Sequence, residues 1–221
     1  MINIVGAGGF AREFLLHWLA ANKFPNSQRE VLDPFQVNFY VDEDMVLTTI
    51  KSLEAFRKPE KMIFVVKPLQ DHIKIGNAYI AVGNPALKKR FAKYVINTTG
   101  FINPKQSYYP IPEHGSLSNG QIICPGVAVT SNVALDRQVT LNLNVTVGHD
   151  TQIDKYVTIH PGANISGNVI ISESCIIGSG AVIKEGVYIA HNSVIGAGAV
   201  VVKSILEPGG VWVGAPARRI K

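Results

Sequence analysis

The chain is 221 residues long, 47% hydrophobic and 17% charged, with 20 glycines and 12 prolines, a composition that fits one large or two small turn-rich globular domains and excludes disorder and collagen. No apolar run reaches the roughly 18 residues of a membrane-spanning helix, and Met1 to Gly6 shows no basic stretch leading an apolar one, so a cytoplasmic protein without signal peptide or membrane insertion is expected. The 21 basic and 16 acidic side chains leave a formal charge of +5, which suits a small anionic ligand; no basic run carries interleaved aromatics, and no nucleic-acid partner is expected.

Residues 2–5 form a short, wholly apolar run closed by glycine, as in a buried parallel strand. Phe10, Phe14 and Trp18, with Leu15 and Leu19, follow at helical spacing, and Asn22 closes that helix. Strands are expected at 37–41, 62–66 and 79–82. A helix is expected from Asn84 as N-cap and Pro85 at the first helical position through Val95. Together these give an α/β, Rossmann-like domain over residues 1–105. The turn Gly6-Ala7-Gly8-Gly9-Phe10-Ala11 fits the GxGxxA pattern between strand and helix, where backbone N–H groups meet phosphate. Asp42, the acidic candidate, lies well past the roughly 20 positions at which a dinucleotide site places its acidic residue, so an anionic nucleotide other than NAD is expected. Lys88-Lys89-Arg90 is the densest basic cluster and reads as a solvated helix face.

From Cys124 the chain divides into hexads, from CPGVAV and TSNVAL to AHNSVI and GAGAVV. The last residue of each is aliphatic, from Ile123, Val129 and Leu135 to Ile195 and Val201, fourteen in succession. A small or β-branched residue sits two places before nearly every one of them, so each hexad holds one short strand with two inward side chains. Gly, Asn, Asp and Ser fill the corners. Three hexads close a triangular coil, giving a solenoid about 20 Å tall at ~4.8 Å per coil. A column so short needs neighbours to bury enough surface. Cys175 is inward and reads as core. With only Cys124 beside it, neither a disulfide framework nor a CxxC metal site is expected.

The hexads resemble the left-handed parallel β-helix acyltransferases. Ala81-Val82-Gly83-Asn84-Pro85, Gly148-His149-Asp150, Ser166-Gly167-Asn168-Val169, Gly196 to Val201 and Val213-Gly214-Ala215-Pro216-Ala217 resemble one branch of that family. This branch holds the sugar acetyltransferases related to the sialic acid O-acetyltransferase and the bacillosamine-pathway N-acetyltransferase. The resemblance implies a C-terminal left-handed β-helix domain over residues 106–221 and a nucleotide-sugar-binding domain before it. It implies a homotrimer, with acetyl-CoA as co-substrate and no metal. The expected reaction is N-acetylation of a nucleotide-linked amino sugar, UDP- or dTDP-linked, for bacterial surface glycans.

Acetyl transfer from a thioester needs a base for the acceptor's proton and a donor for the oxyanion. His149 occupies a corner between inward Val147 and Ile153, so its ring points outward, and imidazole titrates near neutrality. The resemblance makes His149 the general base and Asp150 its orienting acid. Gly167, three hexads later and thus one coil above, is the implied acetyl contact, with an accessible backbone N–H. Asn142 matches a substrate-site polar residue; a corner asparagine bonding its own backbone is the alternative. Some relatives carry a second histidine nine residues after the base. Here Thr158 stands at that place and His160 two further on, both taken as substrate-side candidates. Ser179 and Ala197 match pantetheine contacts and are expected to stack on coils above Gly167. Lys203, Arg218 and Arg219 are candidates for the cofactor's phosphates. Asn103-Pro104 stands where the family has His-Pro, and Gln106 to His114 follows its pattern poorly. O-acetylation of a sugar hydroxyl uses the same residues. Two other classes remain open on this fold: a zinc-dependent hydratase, for which His149, His160 and His191 are the histidines at hand, and a non-catalytic binding protein.

Overall fold

The computed structural model describes residues 1–6, 9–21, 35–54, 62–70, 74–102 and 120–221. It divides into two units, residues 1–82 with 90–99, and residues 83–89 with 100–221. Gly8, Asn22, Asn103-Pro104 and the stretch Gln106 to His114 lie outside the described residues. Among those described, no helix is long and apolar enough to cross a membrane.

The first unit is built on β1 (Ile2–Val5), β2 (Phe35–Val41), β3 (Met62–Pro68), β4 (Ile75–Ile80) and β5 (Val95–Thr98). They form one parallel sheet in the order β3-β2-β1-β4-β5. Helix α1 (Gly9–Ala21) buries Ala11, Phe14 and Leu15. The Phe14 ring meets that of Tyr79 at 4.9 Å, and Trp18 Nε1 donates to the Tyr79 hydroxyl at 3.1 Å. Helix α2 (Val46–Glu54) and strand β5 have no counterpart in the sequence reading. The helix expected from Asn84 to Val95 is shorter. As expected, Asn84 caps α3 (Pro85–Phe91), its Oδ1 accepting the Leu87 N–H at 3.1 Å. After one 3₁₀ turn at Ala92–Tyr94 the chain enters β5, where Val95, Ile96 and Thr98 are β-branched and favour an extended backbone.

The second unit carries the hexads. Two-residue strands recur every six positions, and each pairs in parallel with the strand three hexads on, as Thr140-Leu141 does with Thr158-Ile159 and Thr146-Val147 with Asn164-Ile165. Three parallel sheets therefore enclose a triangular core of stacked Ile, Val, Leu and Ala. The expected inward aliphatics from Ile123 to Val201 form that core, with Val133 and Leu135 partly buried against it. Cys175 is inward as well, and burial raises its thiol to about 12. The polar inward residues are bonded. Thr151 Oγ1 donates to the Ser166 carbonyl at 3.0 Å, and Ser193 Oγ to the Ala190 carbonyl at 2.7 Å.

The corners explain the sequence period. One residue in each has positive φ: Gly126, Asn132, Gln138, Asn144, Asp150, Tyr156, Gly162, Asn168, Ser174, Gly180, Gly186, Asn192 and Gly198. Left-handed backbone costs most L-residues about 1–2 kcal/mol, and Gly, Asn and Asp least. Their recurrence every sixth place bends the ladder without breaking it.

Residues 83–89 group with this unit. The physical reason is Lys88. Its side chain is fully buried, and Nζ lies within hydrogen-bond distance of four oxygens, Thr158 Oγ1 at 2.6 Å, Thr140 Oγ1 at 2.7 Å, the Gln138 carbonyl at 3.1 Å and the Val157 carbonyl at 3.3 Å, which share its N–H donors. The basic cluster is thus not uniformly a solvated helix face: Lys89 and Arg90 are exposed, and Lys88 is core. Burial pushes the Lys88 ammonium down to about 7, with the Cys124 side chain opposing. Between that value and 10.5 the unfolded chain holds a proton that the folded chain has released, so stability rises with pH across this window. Urea titrations of native protein and Lys88→Met between pH 6.5 and 10 should show native stability gaining on the variant by up to ~1.4 kcal/mol per pH unit. A gap that stays constant with pH would contradict the buried, titrating amine.

Candidate active site

Hexad 148–153 turns outward at His149 and Asp150 while Thr151 and Ile153 point into the core. Asp150 has φ +58°, and this backbone folds its carboxylate back on its neighbour. His149 Nδ1 lies 2.8 Å from Asp150 Oδ2. The other oxygen, Oδ1, accepts the Asn132 side-chain amide at 3.1 Å. These two bonds, that from His149 first, hold the Asp150 carboxyl below the usual carboxylate range. An ionised carboxylate only accepts, so Nδ1 carries the proton and Nε2 of the neutral ring presents a lone pair. Both side chains are about half exposed, His149 at 54% and Asp150 at 47%.

One coil above lies Gly167. A Cβ built there would fall 2.7 Å from His149 Nε2 and 2.8 Å from Cε1; the ring rests over the glycine because no side chain intervenes. The Asn168 N–H donates to the His149 carbonyl at 2.8 Å, fixing the spacing of the two corners. Gly167's own N–H takes no part in the backbone ladder among the described residues. A lone-pair nitrogen and an uncommitted amide thus occupy one corner on successive coils.

The remaining candidates are distributed by the three-hexad period. Asn142 and His160 lead into a second corner, to which Ser179 and Ala197 also belong. Ser179 and Ala197 are exposed and stacked on one another, but not on Gly167: Ser179 follows Gly167 by two hexads, two thirds of a coil, which moves the pair to a different edge. Asn142 is 8% exposed, and its Oδ1 accepts the Leu143 N–H at 2.7 Å, the backbone-satisfying role open to a corner asparagine. Thr158 does not face a ligand surface. It is 1% exposed, its hydroxyl taken by Lys88, because the outward face of that strand is covered by residues 83–89. His160 is half-buried, and a side chain at Gly83 would touch its ring. Burial, then the nearby Lys88 charge, lowers its pKa, so it stays neutral. Lys203 and Arg218 are exposed, while Arg219 is paired with Glu207. His149, His160 and His191 lie at three different corners. Among the described residues no three His, Cys, Asp or Glu side chains gather as metal ligands.

In the first unit, Gly6 has φ +112°, and a Cβ there would meet Val82 Cγ2 at 2.7 Å and the Ala81 carbonyl oxygen at 2.9 Å. Its N–H donates to the Tyr40 carbonyl at 2.9 Å. Gly6 therefore serves close strand packing, and its amide is not available to a phosphate. Gly9 begins α1, and a Cβ there would meet the Arg12 guanidinium at 4.0 Å, an ordinary van der Waals contact. Asp42, at the end of β2, is ion-paired with Arg90.

Asn132, bonded to Asp150, is the residue of this corner that the sequence reading did not single out. The signal was present: Asn132 precedes Asp150 by three hexads, the same interval that places Gly167 above His149.

A scan of protein-family models finds no match, and a search of the curated proteins finds none either. Solved structures do match over the whole chain. The acetyltransferase domain of PglB from Neisseria gonorrhoeae, in complex with acetyl coenzyme A, superposes with a TM-score of 0.72 at 24% identity, covering 99% of this chain and 98% of that one. A histidine-to-asparagine variant of perosamine N-acetyltransferase from Caulobacter crescentus, in complex with CoA and GDP-perosamine, gives 0.74 at 20% identity over 100% and 96%. WeeI from Acinetobacter baumannii gives 0.66 at 24% over 100% and 99%. The chain shares its fold, both units included, with sugar N-acetyltransferases.

Packing of the ring on Gly167 can be tested directly. In a crystal structure of Gly167→Ala the added methyl should rotate the His149 ring away and lengthen its 2.8 Å contact with Asp150 beyond hydrogen-bond range. A ring left in place would contradict the close packing.

Proposed function

We propose that the protein is an acetyl-CoA-dependent N-acetyltransferase acting on a nucleotide-linked amino sugar, with His149 as general base on a left-handed β-helix. The observation that carries this is the corner where His149, its Nδ1 fixed by Asp150, sets Nε2 beside Gly167. The amine nitrogen of the sugar attacks the thioester carbonyl carbon. Nε2 accepts the proton that this nitrogen loses, while the Gly167 N–H is the candidate donor to the developing oxyanion. Collapse of the tetrahedral intermediate breaks the carbon–sulfur bond, and the imidazolium returns the proton to the departing thiolate. The products are the amide and free CoA. Asp150 keeps the ring in the productive tautomer and stabilises its charged form.

Three further observations support this reading. The candidates divide between two edges, His149 and Gly167 on one, Asn142, His160, Ser179 and Ala197 on another. Edges of one triangular column face apart, so a groove between copies, as in a trimer, would bring the two sets together. The first unit is a parallel sheet in the order β3-β2-β1-β4-β5, compatible with a doubly wound sheet, in which ligands bind beyond the carboxyl ends of the strands. Asp42 and Gly9 lie at that end, and the Asp42–Arg90 pair offers both signs of charge to a nucleotide. Lastly, the acetyl-CoA and CoA/GDP-perosamine complexes of the structural relatives supply the ligand classes.

Incubation with labelled acetyl-CoA and a panel of UDP-, dTDP- and GDP-linked amino sugars should give one acetylated product by mass spectrometry. His149→Ala should lower kcat/KM on that acceptor by about 10²–10⁴ without loss of acetyl-CoA binding. Near-native transfer by the variant would refute the base.

A further inference from the structure

Within the same corner, Asp150 is itself held. Its carboxylate is half exposed and sits on a residue with left-handed backbone, so nothing but hydrogen bonds decides which oxygen faces the imidazole. Oδ2 lies on His149 Nδ1 at 2.8 Å, and Oδ1 receives the Asn132 Nδ2–H at 3.1 Å. Asn132 has φ +57° against +58° for Asp150; the two are equivalent positions on consecutive coils. The Asp150 N–H donates to the Ser131 carbonyl at 3.1 Å, so the backbone spacing of the two corners is fixed. Side-chain amide and carboxylate are thereby presented to each other without either backbone moving.

We infer that Asn132 is a positioning residue for the transfer reaction, acting through Asp150 on His149: it pins one carboxylate oxygen so that the other stays aimed at Nδ1. This rests on the His149 proposal above. Asparagine suits the task chemically. Its amide donates to the carboxylate without adding charge, whereas aspartate at the same place would set two carboxylates about 3 Å apart and turn the donor into a repelling group. It also suits the backbone, since asparagine tolerates left-handed φ. Thr130 and Ser131 beside it make no comparable contact with Asp150 through their side chains among the described residues: Thr130 Oγ1 donates to the Val147 carbonyl instead.

The variants are chosen to leave the corner folded. Asn132→Gly keeps the left-handed backbone and removes the donor; Asn132→Asp keeps size and reverses the interaction. On the acceptor found with native enzyme, Asn132→Gly should lower kcat about 5-fold to 20-fold with KM for acetyl-CoA and melting temperature close to native. Asn132→Asp should lower kcat at least as far. It should also move the acid limb of the kcat/KM profile to higher pH, because added negative charge beside Asp150 favours the imidazolium. Asn132→Gly should not shift that limb upward. Native kcat and an unshifted profile in both variants would reduce Asn132 to a corner residue, as would a loss of melting temperature with kcat intact. His149→Ala, assayed in parallel, separates the two questions. If that variant remains active the base is wrong, whereas if it is inactive and both Asn132 variants match native, only the positioning role fails.

Discussion

A single backbone constraint organises the second unit: every sixth residue adopts left-handed φ. That bend lets two-residue strands follow one another without losing the parallel ladder, and three hexads later the chain returns to the same edge one coil higher. Everything chemical follows from this register. Inward positions are mostly aliphatic and fill the triangular core, with Thr151 and Ser193 hydrogen-bonded among them. Outward positions at the corners are free to carry His149, Asp150 and Asn132. A side chain there is placed by backbone that cannot slip, because a one-residue shift would drive polar corners into the core. Precision at a half-exposed site thus comes from the solenoid and not from a deep pocket.

The same register brings conflicting demands at Gly167. Close stacking of corners requires a residue without Cβ beneath the imidazole, and the corner geometry leaves its amide out of the ladder. One glycine therefore allows the close packing and leaves an amide outside the ladder. Lys88 shows the opposite case, a titratable amine held in the interior among Thr140, Thr158 and two carbonyls. Replacing either residue would disturb more than its own contacts, since each joins successive coils.

The hexads were legible because solenoid folding is local: inward and outward residues alternate within six positions, and Ile159, Ile165 and Ile171 announce the core without any long-range information. The outward placement of His149 and Asp150 at a corner was legible for the same reason. Asn132 was within reach of the same arithmetic but had no chemical label of its own. Thr158, His160 and Lys88 were harder. Periodicity places Thr158 outward, and only the fold shows that residues 83–89 cover that face, so the helix whose spacing suggested a charged surface sends one lysine inward. Ser179 and Ala197 illustrate a subtler limit: their mutual interval of three hexads was read correctly, and their interval from Gly167 was not converted into an edge. In the first unit Gly6 fitted a phosphate-binding pattern, yet close approach by Ala81 and Val82 explains that glycine. Strand β5 escaped because Ala92 to Thr98 carries no alternation that separates a helix end from a short edge strand.

The most direct test of the central claim is a co-crystal structure with CoA and the amino-sugar nucleotide that the enzyme accepts. The account predicts the acceptor nitrogen about 3 Å from His149 Nε2, with Nδ1 still on Asp150 and the Gly167 amide facing the site of the acetyl group. An acceptor nitrogen seated well beyond hydrogen-bond reach of His149, against some other titratable group, would contradict it.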